Sequence, residues 1–239
     1  MSKYVVQAGW EHAPHLDERA KAELLAAIPP SQREARMNGT PSIGAGLIYP
    51  VPDEQIVVPD FAIPKHYKRA YAMDVGWRRT AALWGALDED SDVLYCYSEH
   101  YASEGIPSLH ADSIKARGKW IKGVIDPAAN GRNPIDGQAL VDLYARLELD
   151  LDNADNAVSA GLYEVWQRMV GGRLKLFASL ANLRAELRLY RREAKGKVVK
   201  ANDHLCDCLR YLVMNGLDRA GVEPVEALPQ RRRGGGWAG

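Results

Sequence analysis

Tyr71-Ala72-Met73-Asp74-Val75-Gly76-Trp77 is a short apolar run that delivers one carboxylate at its end and then turns on a glycine. Such a run reads as a buried strand, and an acid at its end sits at the edge of a sheet, where a metal ion can reach it. Working outward, Arg69 to Asp74, Thr80 to Leu87 and Val93 to Tyr101 are consecutive strand candidates, the last two joined by Asp88-Glu89-Asp90-Ser91-Asp92. Connections this short predict antiparallel hairpins. Downstream, the pattern predicts a helix over Pro107 to Arg117 with Leu109, Ala111 and Ile114 inward, then a fourth apolar run, Trp120 to Ile125, that ends in Asp126-Pro127. A helix over Asp136 to Leu147, a short strand at Leu149 to Leu151, a helix from Ala157 to Val170 and a strand at Arg173 to Phe177 follow. Helices over Asn182 to Arg192 and His204 to Met214 complete the series, with an extended or hairpin segment at Gly196 to Val199 between them. Hairpin-linked strands followed by alternating helix and strand predict an α/β fold, a mixed β-sheet of about five strands flanked by helices.

Upstream the text changes. Asp17 caps a predicted amphipathic helix that runs to Ala27 and stops at Pro29-Pro30. From Ser31 onward Gly39, Pro41, Gly44, Gly46, Pro50, Pro52, Pro59 and Pro64 interrupt every candidate element. An ordered connector with short strands at Gly46 to Tyr49 and Gln55 to Val58 is the expected result. Gly44-x-Gly46 is not read as a nucleotide loop, because no Gly-x-x-x-x-Gly-Lys-Ser/Thr pattern occurs anywhere. Three regions result: residues 1–66 as N-terminal helix and connector, 67–217 as the compact domain, and 218–239 as a basic tail, read as disordered, carrying Arg231, Arg232 and Arg233.

Bulk composition limits the partners. The 239 residues hold 31 basic and 31 acidic side chains, so a nucleic-acid surface has to be a local patch rather than a global charge. Cys96, Cys206 and Cys208 are odd in number, and Cys206-x-Cys208 falls on a helix where neighbouring side chains diverge, which favours reduced thiols over a metal knuckle. With no long apolar run and no signal peptide at Met1-Ser2-Lys3, the chain is expected to be soluble and intracellular, without membrane contact or secretion.

The acids point to a chemistry. Hydrolysis of a phosphodiester needs an activated water and a stabilised leaving oxygen, and two divalent ions about 4 Å apart can provide both. Mg²⁺ or Mn²⁺ takes oxygen ligands and retains waters, so a few carboxylates on rigid elements suffice. Asp74 and Asp126 each end an apolar run, and neighbouring strands would bring those ends together. Each also has a plain structural reading, Asp74 as the start of a turn and Asp126 as a loop cap. On the last helix, Asp203, His204, Asp207 and Tyr211 share one arc while Leu205, Leu209, Leu212 and Val213 occupy another. Either Asp203 is the helix N-cap of a solvated face, or these residues form a site; if Asp203 caps, Asp207 is the better ligand, one turn in.

Taken together, Met73-Asp74-Val75-Gly76-Trp77, Val124-Ile125-Asp126-Pro127-Ala128 and Asn202-Asp203-His204-Leu205-Cys206-Asp207-Cys208-Leu209-Arg210-Tyr211 resemble the nuclease domain of the large terminase subunit of tailed bacteriophages. Pro29-Pro30 through Arg33, Arg36, Gly39 and Pro41 to Gly46 and Tyr49-Pro50 resemble that family's connector between motor and nuclease. The resemblance implies a ribonuclease H-like fold and an endonuclease that cuts concatemeric viral double-stranded DNA during genome packaging, with two Mg²⁺ or Mn²⁺ ions and little sequence preference. It implies Asp74, Asp126 and Asp207 as metal-binding carboxylates, with Asp203 and His204 at auxiliary catalytic positions. Cys208 departs from the small residue usual there. With no Walker motif, the chain reads as a piece that follows an absent ATPase motor, and that ATPase domain, the small terminase subunit and the portal protein are the partners the family implies.

Arg184, Arg188, Arg191, Arg192, Lys195, Lys197 and Lys200, with Tyr190 among them, concentrate positive charge just before the acid-bearing helix. Beside a carboxylate cluster this run reads as a DNA-binding patch, and otherwise as a solvated face. Trp77, Trp84, Trp120 and Trp166 lie in or beside apolar runs and read as core. Two alternatives remain: another ribonuclease H-like nuclease such as a junction resolvase, and a non-catalytic module that grips DNA or docks on the portal.

Overall fold

The structure, a computed structural model, describes residues 9–10, 16–28, 37, 46–76, 79–103, 105–131, 139–193 and 197–224. Helix α1 (Glu18–Ala27) begins on Asp17, whose carboxylate accepts from the Ala20 N–H at 2.7 Å. A single turn, α2 (Asp53–Ile56), leads into β1 (Val57–Val58). Then come β2 (Lys68–Val75), β3 (Thr80–Asp88) and β4 (Val93–Ala102). Helix α3 (Pro107–Lys115), β5 (Lys122–Ile125), α4 (Leu140–Arg146) and β6 (Leu151–Asn153) follow. The chain closes with α5 (Val158–Val170), β7 (Leu174–Phe177), α6 (Ala181–Leu189) and α7 (His204–Tyr211), which continues as a π-helical segment over Leu212–Gly216.

The strands form one sheet in the order β1-β7-β4-β3-β2-β5-β6. The hairpins β2–β3 and β3–β4 are antiparallel, and every other pairing is parallel. Because side chains alternate across a strand, β2 faces two cores. Ala70 and Ala72 join Leu83, Leu94, Leu176, Leu183 and Leu205 on one side, while Tyr71 and Met73 join Trp84, Ile114, Ile125 and Tyr144 on the other. Burial on both faces explains why this strand reads as a continuous apolar run. Helix α7 packs directly on β2 and β3 over small residues, close enough for the Cys208 thiol to reach the Ala81 carbonyl at 3.5 Å. At Gly85, under the π-helical segment, a Cβ would meet Leu212 Cδ2 at 2.8 Å.

The α/β architecture agrees with expectation, and several details differ. Among the described residues the sheet has seven strands rather than about five, its edges being β1 and β6, which overlap the strands expected at Gln55 to Val58 and Leu149 to Leu151. Residues 55–58 are not one strand: Asp53 and Glu54 follow Pro52 into a helical turn, where acids suit the N-terminal end of the helix dipole, and only Val57 and Val58 pair. Gly46 to Tyr49 makes a single bridge, Leu47 to Arg191, rather than a strand. That bridge and a second between Arg192 and Val198 take up the residues expected to finish α6, so the helix ends at Leu189 and a hairpin follows. Leu149 terminates α4 instead of opening a strand, its N–H bonding the Tyr144 carbonyl after Glu148 turns through φ 65°. Leu109 points outward at 60 % exposure, while Ala111 and Ile114 are buried as expected. Trp84 is fully buried and Trp120 and Trp166 pack partly against the cores, whereas Trp77 lies outside the described residues. Residues 136–138 of the helix expected from Asp136 and the Arg231–Arg233 tail also lie outside them.

Candidate active site

Register brings the first two acids together. The parallel pairing of β2 with β5 matches Ala72 to Val124 and Met73 to Ile125, so the next step in each strand is Asp74 beside Asp126. The Asp126 N–H bonds the Met73 carbonyl at 3.0 Å and holds that register past the end of β5. By alternation both carboxylates project to the face that α7 covers. Asp126 keeps one oxygen on its own turn, Oδ1 accepting from the Ala128 N–H at 3.0 Å, as its reading as a cap anticipates.

Helix α7 supplies the rest. His204 Nδ1 lies 2.7 Å from Asp74 Oδ2, and this pair shows the two ends of the site in direct contact. Burial raises the Asp74 pKa, and the His204 hydrogen bond opposes that rise without cancelling it. The Asp74 hydrogen bond in turn raises His204, so the imidazole holds its proton to a higher pH than a free one. The nearby carboxylates of Asp126 and Asp207 push the Asp74 value in the same upward direction.

Asp207 and Asp203 are buried, at 8 % and 7 % exposure, so this face of α7 is not a solvated one. Asp207 Oδ1 accepts from Arg210 Nη2 at 3.0 Å and Nε at 3.3 Å, and Oδ2 accepts from Lys200 Nζ at 2.8 Å. Lys200 Nζ also sits 3.2 Å from Asp203 Oδ2. Burial alone would lower the Lys200 pKa, but the Asp207 hydrogen bond and the charges of Asp207 and Asp203 outweigh it and raise it.

Asp203 occupies the N-cap position without making a side-chain cap. That task falls to Glu186 on α6, whose Oε2 accepts from the Leu205 N–H at 2.7 Å and the Cys206 N–H at 3.1 Å. Sequence reading misses Glu186 because its partners lie 19 and 20 residues away and only the packing of α6 on α7 brings them together. It also misses Arg210, buried at 1 % exposure, although Gly161 in mid-helix gives a signal: a Cβ there would meet Arg210 Cγ at 2.5 Å. A third unread residue is Arg79, whose guanidinium lies 4.3 Å over the Tyr101 ring, itself 6.4 Å from the His204 ring.

The predicted basic patch is redistributed. Arg184 and Arg188, one turn apart on α6, both bond Asp53 Oδ2, at 3.1 and 2.6 Å, and so tie that helix to the connector. Tyr190 is buried at 3 % beside Tyr49. Arg192 and Lys197 are exposed on the hairpin, Arg191 is half-buried there, Lys200 is drawn onto the acids, and Lys195 lies outside the described residues. The three cysteines are free and buried, and burial pushes the Cys206 and Cys208 thiols well above their ordinary values.

For a metal, the donors are of the right kind, since Asp74, Asp126 and Asp207 offer only oxygens, the ligands a hard divalent ion prefers. Among the described residues, however, no group of three His, Cys, Asp or Glu side chains is drawn together tightly enough to hold one ion. A mixed sheet with an antiparallel β2–β3–β4 meander, parallel outer pairings and flanking helices is a ribonuclease H-like architecture. Residues 72–216 match the model of the terminase RNaseH-like domain, and the chain belongs to that family.

The chain is 31 % identical over 220 residues, 88 % of its length, to the large terminase subunit of Salmonella phage P22, of which the match covers 44 %. It spans less than half the length of the curated relatives it matches. The solved P22 large terminase nuclease domain superposes with a TM-score of 0.68 at 29 % identity, over 75 % of this chain and 96 % of that one. The large terminase nuclease of thermophilic phage G20c with bound magnesium shares the fold at 12 % identity and a TM-score of 0.54, over 70 % of this chain and 96 % of its own.

Proposed function

We propose that this chain is a divalent-metal-dependent endodeoxyribonuclease that cuts concatemeric viral double-stranded DNA during genome packaging. The observation that carries the reading is the register that sets Asp74 beside Asp126, with α7 laying His204 and Asp207 across the same sheet edge. Similarity to the P22 nuclease domain and to a nuclease solved with magnesium supports it. Asp74, Asp126 and Asp207 would hold the metal, with Asp203 beside them. A pair of Mg²⁺ or Mn²⁺ ions, when bound, supplies Lewis-acid stabilisation of charge on the phosphate and lowers the pKa of water. His204 orients the Asp74 carboxylate and keeps a proton beside it, and Arg210 fixes the Asp207 carboxylate from the protein side. Arg79, Arg192 and Lys197 are the cations best placed to meet a DNA backbone. An ATPase motor, a small subunit and a portal would be the partners in the assembled packaging machine, and the bacterial cytoplasm its setting.

One observation favours a second reading, a DNA-gripping or portal-docking module without catalysis: both oxygens of Asp207 are already taken by cations. Nicking of supercoiled plasmid separates the two. Cutting with Mn²⁺ or Mg²⁺ that EDTA abolishes is expected, and a folded chain that leaves plasmid intact under every divalent ion contradicts the nuclease reading.

A further inference from the structure

We infer that Lys200 is a positioning residue with two alternative partners: its ammonium holds Asp207 and Asp203 before metal binds, and transfers to a DNA phosphate when a divalent cation takes Asp207. This rests on the nuclease reading. Asp207 is held from two sides by groups of very different freedom. Arg210 grips Oδ1 and is buried at 1 % exposure, so it stays. Oδ2 is therefore the oxygen left to serve a ligand, and Lys200 Nζ occupies it at 2.8 Å while also standing 3.2 Å from Asp203 Oδ2.

The Lys200 side chain is 54 % exposed against 11 % for either acid, so it approaches from solvent and can withdraw to it. A divalent cation drawing on Oδ2 would stand within a few ångströms of that ammonium, and like charges so close disfavour joint occupancy. The backbone is shaped to deliver the lysine here. The Val199 N–H bonds the Arg191 carbonyl at 3.0 Å, and Asn202 then adopts φ 52°, a left-handed turn that asparagine tolerates, which sends the chain into α7. Once displaced, Lys200 stands at the mouth of the site on the same hairpin as exposed Arg192 and Lys197, where a phosphate is its natural partner.

The two partners predict opposite effects of one substitution, which a merely structural lysine would not give. Mn²⁺ affinity of the 239-residue chain, read from the electron paramagnetic resonance of free Mn²⁺ without DNA, should tighten about two- to fivefold in Lys200→Ala, the range a partly exposed ion pair can withhold. Lys200→Arg, which keeps the bridge, should stay within about twofold of wild type. Binding of a short fluorescent DNA duplex in Ca²⁺, read by anisotropy, should weaken in Lys200→Ala, with the salt slope smaller by about one, the loss of a single phosphate contact. Unchanged Mn²⁺ affinity, or weakening of both ligands together, overturns the inference while leaving the nuclease reading standing. If neither wild type nor Lys200→Ala binds Mn²⁺, the nuclease reading itself falls and takes this inference with it.

Discussion

Asp74 and His204 show how far single residues were legible. Asp74 stood out because an apolar run ended on it, and His204 because helical spacing put it on one arc with Asp203 and Asp207. Their 2.7 Å contact, across 130 residues of sequence, comes from the packing of α7 on β2. The pair has a pH signature. His204 is raised by its bond to Asp74, so the stability it contributes is present in full below the unfolded histidine value of ~6.5 and is lost as pH rises through the higher folded value. Thermal unfolding of wild type and His204→Ala should therefore differ most near pH ~6 and converge at more alkaline pH. A gap that widens with rising pH would contradict this assignment of charge.

At the scale of elements, local signals worked where an element's own residues decide it. The β2–β3–β4 meander and α5 came out within a residue or so of expectation because buried runs and their turns are local. They failed where another element claims the backbone, as at Arg191 and Arg192, which bridges to Leu47 and Val198 remove from α6. Helix α7 depends on such a claim for its first turn, since its own Asp203 does not cap it and the Glu186 carboxylate does. Glu186 is 3 % exposed, and burial raises its pKa despite the bonds from Tyr101, Cys206 and Leu205. Truncation in Glu186→Ala leaves two buried N–H groups unsatisfied and should cost about 2–4 kcal/mol in chemical denaturation. Glu186→Gln, which keeps an acceptor, should recover a good part of that loss. Equal losses in the two variants would mean that the cap is not what holds α7.

Over the described molecule, residues 46–66 of the connector are part of the packed body. Tyr49 and Ile56 are buried in the same core as α5, α6 and α7, β1 pairs with β7, and Asp53 receives both Arg184 and Arg188. The particular pairing was not legible, because nothing local marks Arg184 and Arg188 as bound for Asp53. These pairs are partly exposed, so Asp53→Ala should lower global stability by only about 1 kcal/mol. It should nonetheless speed proteolytic cutting in the connector more than in the sheet, a difference that limited proteolysis with mass spectrometry can read. Uniform acceleration across the chain would argue against a local latch. The fold class was legible because the order of runs and hairpins is a property of the whole sequence, whereas the edge strands β1 and β6, expected at Gln55 to Val58 and Leu149 to Leu151, are too short to carry a period that fixes their ends.

The edge carrying Asp74 and Asp126 is proposed to cut DNA with bound metal. The most direct test is plasmid cleavage in Mn²⁺ by wild type and Asp74→Asn, with duplex binding followed on the same samples. Loss of cutting by about 100-fold or more, with binding kept, is the predicted result. Cutting that survives Asp74→Asn at the wild-type rate would place the chemistry elsewhere and contradict the account.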